Sequence, residues 1–370
     1  MKILILNWRD IKNPKSGGAE ILTHEMAKRW VKWGHSVTQF SSEFEGCQKN
    51  EEIDGVNIIR EGHPDARFLF SSVHWLAFRN YRKKFQGKFD VILDEVHGLP
   101  FFTPFYVKEK KVVLICEVAG KLWREIFGAL FGSLGRSVEI FFLRFLYKNI
   151  LFMTISNSSK EELLENGVKE KNITVLPMGV SFPNNTKDHI KEKNPTLIFL
   201  GRLSKSKGVE DAIYALRVLS NEISDVKLWI VGRGEDEYAN YLKKLADKLD
   251  VKDRIRLFGF VNEEEKFELL AKANVLLVPS IKEGWGLIVP EAAFVGTPSV
   301  VYNSPGLRDV LSGSIFKTIV KSNTPEDLAK AILKIMGDKN LAAKLGKESF
   351  RVEDFSWDKT ARLALEVLKK

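Results

Sequence analysis

The sequence predicts an α/β protein built from two doubly wound, parallel-sheet domains. Three observations lead there. Short runs rich in Val, Ile and Leu alternate with longer stretches of helical periodicity, the pattern of strands buried on both faces by crossover helices. That alternation stops and restarts near the middle of 370 residues. Between the two series lies a polar stretch with two prolines, Phe182 to Pro195, suited to an interdomain linker.

In the first series the expected strands are Ile3 to Trp8, Ser36 to Ser41, Val56 to Arg60, Phe89 to Leu93, Lys111 to Cys116 and Phe152 to Ile155. In the second they are Thr196 to Leu200, Lys227 to Val231, Arg254 to Phe258, Val275 to Pro279 and Ser299 to Tyr302, with helices in the gaps of both. Two Rossmann-like domains follow, 1–185 and 186–355. Neither a repeat nor a low-complexity tract interrupts them.

Composition narrows the partners. With 57 Lys and Arg against 48 Asp and Glu, the chain carries a formal charge of +9. An anionic partner is expected: a diphosphate ligand, an anionic membrane surface or nucleic acid. No recognised nucleic-acid motif is present, and no apolar run reaches the roughly 18 to 20 residues that cross a bilayer. Only Cys47 and Cys116 occur, and Met1 runs straight into a strand, so a reducing cytoplasm is the expected setting. No His, Cys and Asp cluster has metal-ligand spacing, and neither a metal nor another cofactor is expected.

Three loops carry the chemistry. After the first strand, Gly17 and Gly18 precede apolar residues at helical spacing, so backbone amides and a helix N-terminus can approach an anion. A plain tight turn explains that pair equally well. After the first strand of the second series comes Gly201-Arg-Leu-Ser-Lys-Ser-Lys-Gly208. Arg202 offers a planar fork and Lys207 a compact charge, at the strand end where open α/β sheets bind ligands. A diphosphate fits them. The third loop, Lys282-Glu-Gly-Trp-Gly-Leu-Ile-Val-Pro-Glu291, places Glu283 among Gly284 and Gly286, opens a helix near Leu287 and carries Glu291 within it. Two carboxylates so spaced can accept hydroxyl bonds from two parts of one polar ligand, such as a sugar and a ribose. Solvent-facing glutamates are the plain alternative.

On Gly17-Gly-Ala-Glu20, Gly201-Arg-Leu with Lys207-Gly208, and the Glu283 and Glu291 spacing, the chain resembles the retaining family 4 glycosyltransferases of the GT-B fold along nearly its whole length. The resemblance implies two domains facing across a cleft and a helix at 356–370 crossing back onto the first. It implies hexosyl transfer from a nucleoside diphosphate sugar, a UDP or GDP conjugate, to an acceptor hydroxyl. Arg202 and Lys207 would neutralise the diphosphate, Glu283 would face the sugar, Glu291 would hold the ribose, and Gly18 would contact phosphate. Phe260 and Val261 would lie by the base. One departure stands out. Where the family carries a histidine beside the donor sugar, this chain has Cys116-Glu117. Glu117 or His97, the latter at a strand end, are the candidates to replace it.

The acceptor is expected at the first domain, where bulky apolar residues mix with Arg124, Arg136, Arg144 and Lys148, and again around Arg67 to Lys84. Such faces suit a peripheral membrane enzyme acting on a lipid-linked or envelope glycan, although core helices with solvated edges share the pattern. Competing readings are an oxidoreductase, a sugar-nucleotide epimerase or phosphorylase on the same fold, and a noncatalytic protein binding anionic surfaces.

Overall fold

The computed structural model of the chain describes residues 1–120, 122–183, 190–311, 318–346 and 351–370. It divides into two compact units, Met1–Gly179 with Phe355–Lys370, and Val180–Asp354. The expected boundary between 185 and 186 lies outside the described residues, as do 184–189 of the linker and Lys121 of the basic, apolar segment.

Among the described residues of the first unit, eight strands form one sheet in the order β3-β4-β2-β1-β5-β6-β7-β8. They are β1 (Lys2–Leu6), β2 (Ser36–Ser41), β3 (Asn50–Ile53), β4 (Val56–Arg60), β5 (Val91–Val96), β6 (Lys110–Ile115), β7 (Leu151–Thr154) and β8 (Ile173–Val175). Helices α1 (Gly18–Lys32), α2 (Val73–Asn80), α3 (Leu122–Phe141, kinked at Gly128) and α4 (Asn157–Glu165) join them. Leu4, Leu6 and Ile92 pack beneath Val73, Ala77 and Tyr81 on one face. Farther along the same face Val113 and Ile115, in register with Asp94 and Val96, meet Phe142, Leu143 and Leu163.

The all-parallel expectation fails at one edge. Strand β3 runs antiparallel to β4 across Asp54 and Gly55, with φ of 52° and 81°. Two residues at positive φ make the mirror-image turn whose twist matches a hairpin, and Asp-Gly is a preferred pair for it. Strand β8 was also not expected; it is three half-buried residues, too short to show a period.

The second unit holds a parallel sheet in the order β11-β10-β9-β12-β13. Its elements are β9 (Thr196–Leu200), α5 (Val209–Leu219), β10 (Lys227–Val231), α6 (Asp236–Lys248), β11 (Ile255–Gly259), α7 (Glu263–Lys272), β12 (Val275–Val278), α8 (Ile288–Phe294), β13 (Ser299–Val301), α9 (Pro305–Leu311), α10 (Pro325–Gly337) and α11 (Lys339–Gly346). Alternation along β9 sends Leu197 and Phe199 to a core shared with Leu216 and Leu219 of α5. Ile198 goes to the opposite core with Leu270, Val289 and Ala292. Both faces are covered, which is what a run of consecutive apolar residues requires.

Helix α12 (Trp357–Lys369) belongs to the first unit, against α1. Trp30 Nε1 donates to Ala361 O at 2.9 Å, Thr360 Oγ1 to Pro177 O at 2.6 Å, and Arg29 Nε to Asp358 at 2.6 Å. The amphipathic sequence WDKTARLALEVLK buries Ala361, Ala364, Leu365 and Leu368 at helical spacing.

Candidate active site

Because the strands of the second sheet run parallel, the loops after β9, β10, β11 and β12 leave from one edge. Glycines let their backbones touch. Gly208, at φ 69°, caps α5 so close to Pro279 that a Cβ there would sit 2.1 Å from its carbonyl oxygen. A Cβ on Gly232 would sit 1.9 Å from Gly201 O, and one on Gly306 2.1 Å from Glu283 O. Leu203 N donates to Arg233 O at 2.8 Å and Ile281 N to Ser206 O at 3.0 Å, tying the loops laterally. No side-chain atom can be inserted without moving one loop off the next.

On this platform the two expected glutamates sit apart, each with its own lysine. Lys207 Nζ donates to Glu283 Oε2 at 2.6 Å, both side chains being partly buried. Glu291 keeps 13% of its side chain exposed and accepts from Lys266 Nζ at 3.0 Å. Neither is a solvent-facing surface residue. Burial pushes the Glu291 carboxyl up and Lys266 pulls it back. Arg202 is exposed, two residues beyond the end of β9. Leu287 is the N-cap of α8, and Gly286, at φ 89°, seats against Leu307 of α9, with Gly284 beside Gly306. Past β11, Val261 packs into the core whereas Phe260 stays 69% exposed with the Arg233 guanidinium 5.2 Å over its ring.

The first unit has a different chemistry at the ends of β1, β5 and β6. Gly17 caps α1 in an ordinary extended conformation, φ −149°, so no left-handed turn requires glycine there. Its amide is engaged, donating to Glu20 Oε2 at 2.7 Å, and Gly18 is the first helical residue. The other Glu20 oxygen accepts from Trp8 Nε1 at 3.1 Å. His97 stacks on the Trp8 ring, centroids 5.2 Å apart, with Nε2 3.7 Å from Glu95. Glu95 is 1% exposed and accepts from Asn7 and Thr23, each at 2.6 Å. Burial raises its pKa despite those donors and His97. Burial, then Glu95, Glu117 and Glu20, push the Cys116 thiol up. His97 and the Cys116-Glu117 turn therefore gather around the same carboxylates.

Sequence reasoning missed Glu95, Lys266 and Gly306. Glu95 had a signal: Asp94-Glu95 is a charged pair inside a strand whose six residues are all buried. Lys266 had none, since it stands 25 residues from Glu291 on another helix. Arg136, read as a surface cation, is committed to Glu139 at 2.7 Å and Asn166 at 2.6 Å.

Residues 16–182 match the model of Glycosyltransferase Family 4, and residues 181–352 that of Glycosyl transferases group 1. An uncharacterized glycosyltransferase of Methanocaldococcus jannaschii is 24% identical, over 100% of this chain and 98% of that one. The alpha-monoglucosyldiacylglycerol synthase of Streptococcus pneumoniae is 23% identical over 93% of this chain and 83% of its own. Among solved structures, sucrose-phosphate synthase of Thermosynechococcus elongatus superposes with a TM-score of 0.81 at 18% identity, covering 100% and 98% of the two chains. The two family models meet end to end over the loops just described, and the chain belongs to the family 4-type glycosyltransferases of the GT-B fold.

Proposed function

We propose that this glycosyltransferase moves a hexosyl unit, with retention of anomeric configuration, from a UDP or GDP sugar to a hydroxyl of a lipid-linked or envelope glycan. The observation that carries the donor assignment is the Lys207–Glu283 pair on a glycine-packed platform, with Lys207 on the same β9–α5 loop as the exposed Arg202. As the bond from the anomeric carbon to the diphosphate breaks, the electron pair goes to the diphosphate. The acceptor oxygen bonds to that carbon, and the acceptor proton is released. Arg202 and Lys207 oppose the charge on the departing diphosphate, supplying from the protein what a divalent cation supplies elsewhere. Glu283, one ion pair away from Lys207, faces the sugar; Glu291 accepts from the ribose hydroxyls; Leu287, Gly284 and Gly286 line the backbone between them. Phe260 and Val261 flank the base. From the first unit we assign Gly18 to the phosphate and His97 to the sugar, with Glu117 as a further polar candidate.

The lipid side of the reading rests on the first unit. Phe68, Leu69, Phe70 and Trp75 are exposed, and residues 66–89 hold six Lys and Arg with no Asp or Glu. Leu130, Phe131, Leu134, Phe141 and Phe145 are exposed on and after α3. Arg67 and Arg79 pair with Asp65 and Glu61, but apolar side chains beside the remaining cations favour an anionic bilayer surface, and the pneumococcal relative is by name a synthase of a glycolipid. No described helix is long and apolar enough to cross a membrane.

Calorimetric titration with UDP, GDP, ADP and their hexose conjugates tests the donor side. One nucleotide should bind wild type and fail to bind the Arg202→Ala, Lys207→Ala double variant; binding of none would end the donor assignment. The anomeric proton coupling of the product decides retention, and an undiminished rate in EDTA is expected. Flotation with vesicles containing anionic lipid should lift the protein at low salt, and its absence from the lipid fraction would remove the membrane surface from the reading.

A further inference from the structure

The geometry points to Lys266 as a positioning residue that keeps Glu291 ionised and aimed, so that nucleotide affinity depends on a lysine that never touches the nucleotide. This rests on the assignment of Glu291 to the ribose. A carboxylate that accepts hydroxyl bonds at full strength must be charged, and Glu291 sits where charge is expensive, on α8 between the core and α7. Lys266 is itself 9% exposed. It projects from α7, and its Nζ lies 3.0 Å from Glu291 Oε1 and 2.8 Å from Glu263 Oε2. Its stem and charge also lie by the Phe267 ring, 4.8 Å from the centroid. The ammonium is thus held on three sides. Burial alone would lower its pKa, yet the two carboxylates more than offset this and leave it raised.

The arrangement uses one Glu291 oxygen and spares the other. Oε2 accepts from no group among the described residues, so one oxygen is anchored to protein and one remains for a ligand hydroxyl. Among the described residues the charged groups acting on Glu291 are Lys266 and Glu263, both from α7. Strands β12 and β13, which α8 also contacts, are wholly apolar apart from Ser299, and the described side chains of α11 are uncharged. Among the described residues no second cation is in place to take over. Exposed Glu263 holds the lysine from the solvent side, a lesser task because its own charge is already hydrated.

The experiment measures the Kd of UDP and GDP from pH 6 to pH 9 for wild type, Lys266→Met, Lys266→Gln, Lys266→Arg, Glu263→Gln and Glu291→Gln. Without the ammonium, Glu291 takes up a proton nearer neutrality. Lys266→Met should bind about tenfold more weakly than wild type at pH 6.5 and recover to within about twofold at pH 9. Lys266→Gln, which can donate a hydrogen bond without charge, should follow the same curve and carries the test if the methionine variant does not fold. Lys266→Arg should keep the wild-type profile, and Glu263→Gln should change it little. A loss of equal size at every pH, or no loss, would overturn the inference, since a packing role has no reason to recover with pH. Failure of the underlying assignment looks different: wild type then binds neither nucleotide, or Glu291→Gln binds as well as wild type.

Discussion

The candidate-site carboxylates of the two units are partnered in opposite ways, although elsewhere the first unit also pairs buried carboxylates with cations, Asp10 with Arg60 and Glu139 with Arg136. In the second unit each site glutamate is matched to an ammonium, Glu283 to Lys207 at 2.6 Å and Glu291 to Lys266 at 3.0 Å. In the first unit the groups hydrogen-bonded to Glu95 and Glu20 are neutral donors, Asn7, Thr23, the Trp8 indole and the Gly17 amide, with the His97 ring farther off at 3.7 Å from Glu95. An ammonium tied to a carboxylate is a cation held in reserve, ready to be shared with an incoming phosphate. A carboxylate held by neutral donors carries an unfavourable charge that burial penalises. On the proposed reading the second unit would take the anionic part of the ligand and the first a group met by hydrogen bonding.

The largest expected effect breaks the cationic side outright. Replacing Arg202 and Lys207 by alanine removes the opposing charge on the leaving group and strands Glu283 without its partner. Turnover should fall roughly 10³-fold, on the scale of losing a preorganised electrostatic contact. Steady-state rates over a range of donor concentrations check it, and a loss confined to KM would show that the cations bind the ground and transition states equally.

Next comes the platform. Gly306→Ala puts a Cβ 2.1 Å from Glu283 O, where backbone is the obstacle and no side chain can swing aside. The Glu283 loop must move. A stability loss of about 1–3 kcal/mol is expected from the overpacking, together with weakened donor binding. Chemical denaturation and donor titration on one sample measure both, and an unchanged donor affinity would mean that the loop can slide without losing its ligand.

A smaller effect reads the neutral side through pH. The Glu95 carboxyl is raised by burial, so the native state holds its proton to higher pH than the unfolded chain does. As pH rises past the unfolded value the unfolded state sheds that proton first, and stability falls until the folded group has ionised as well. Glu95→Gln cannot ionise. Its carbonyl can accept from Asn7 while its amide faces Thr23 Oγ1, whose proton has Ala19 O within 3.1 Å. The Tm of Glu95→Gln relative to wild type should therefore rise from pH 5 toward pH 9. A difference that stays flat would place the ionised form on equal terms with the neutral one and cancel the contrast between the units.

How much of this could be read beforehand follows the same division. Strands Ser36–Ser41, Val56–Arg60, Thr196–Leu200 and Lys227–Val231 have the expected bounds; the last two are the near-continuous apolar runs that burial on both faces favours, whereas SVTQFS and VNIIR mix apolar with polar residues. The edge hairpin was announced by Asp54-Gly55 but its β3 half, Asn-Glu-Glu-Ile, is polar and solvent-facing and carries no such run. At the site, residue types were legible and pairings were not. Lys207 and Glu283 are 76 positions apart and meet only because β9 and β12 are neighbours in the sheet. Gly306 carried no signal in the sequence, since the carbonyl it must clear belongs to another loop.

The least disruptive test concerns Phe260. Its ring is 69% exposed and contributes little to the core, so replacing it should leave the folding of the second unit unchanged. Val261, one residue on, faces inward and packs against Ile198, Trp229 and their neighbours, which makes it the contrasting position. With Arg233 over one face, the Phe260 ring presents an aromatic surface of the kind on which a nucleobase stacks. Phe260→Ala should weaken nucleotide binding about fivefold, near 1 kcal/mol and the lower end for a base on an aromatic ring, with Tm held within a degree or so. Val261→Ala should do the reverse, lowering Tm through lost packing while affinity at low temperature stays near wild type. If Phe260→Ala changes neither quantity, the base lies elsewhere along the sheet edge, and a diphosphate held as proposed at Arg202 and Lys207 would point its nucleoside away from the loop after β11.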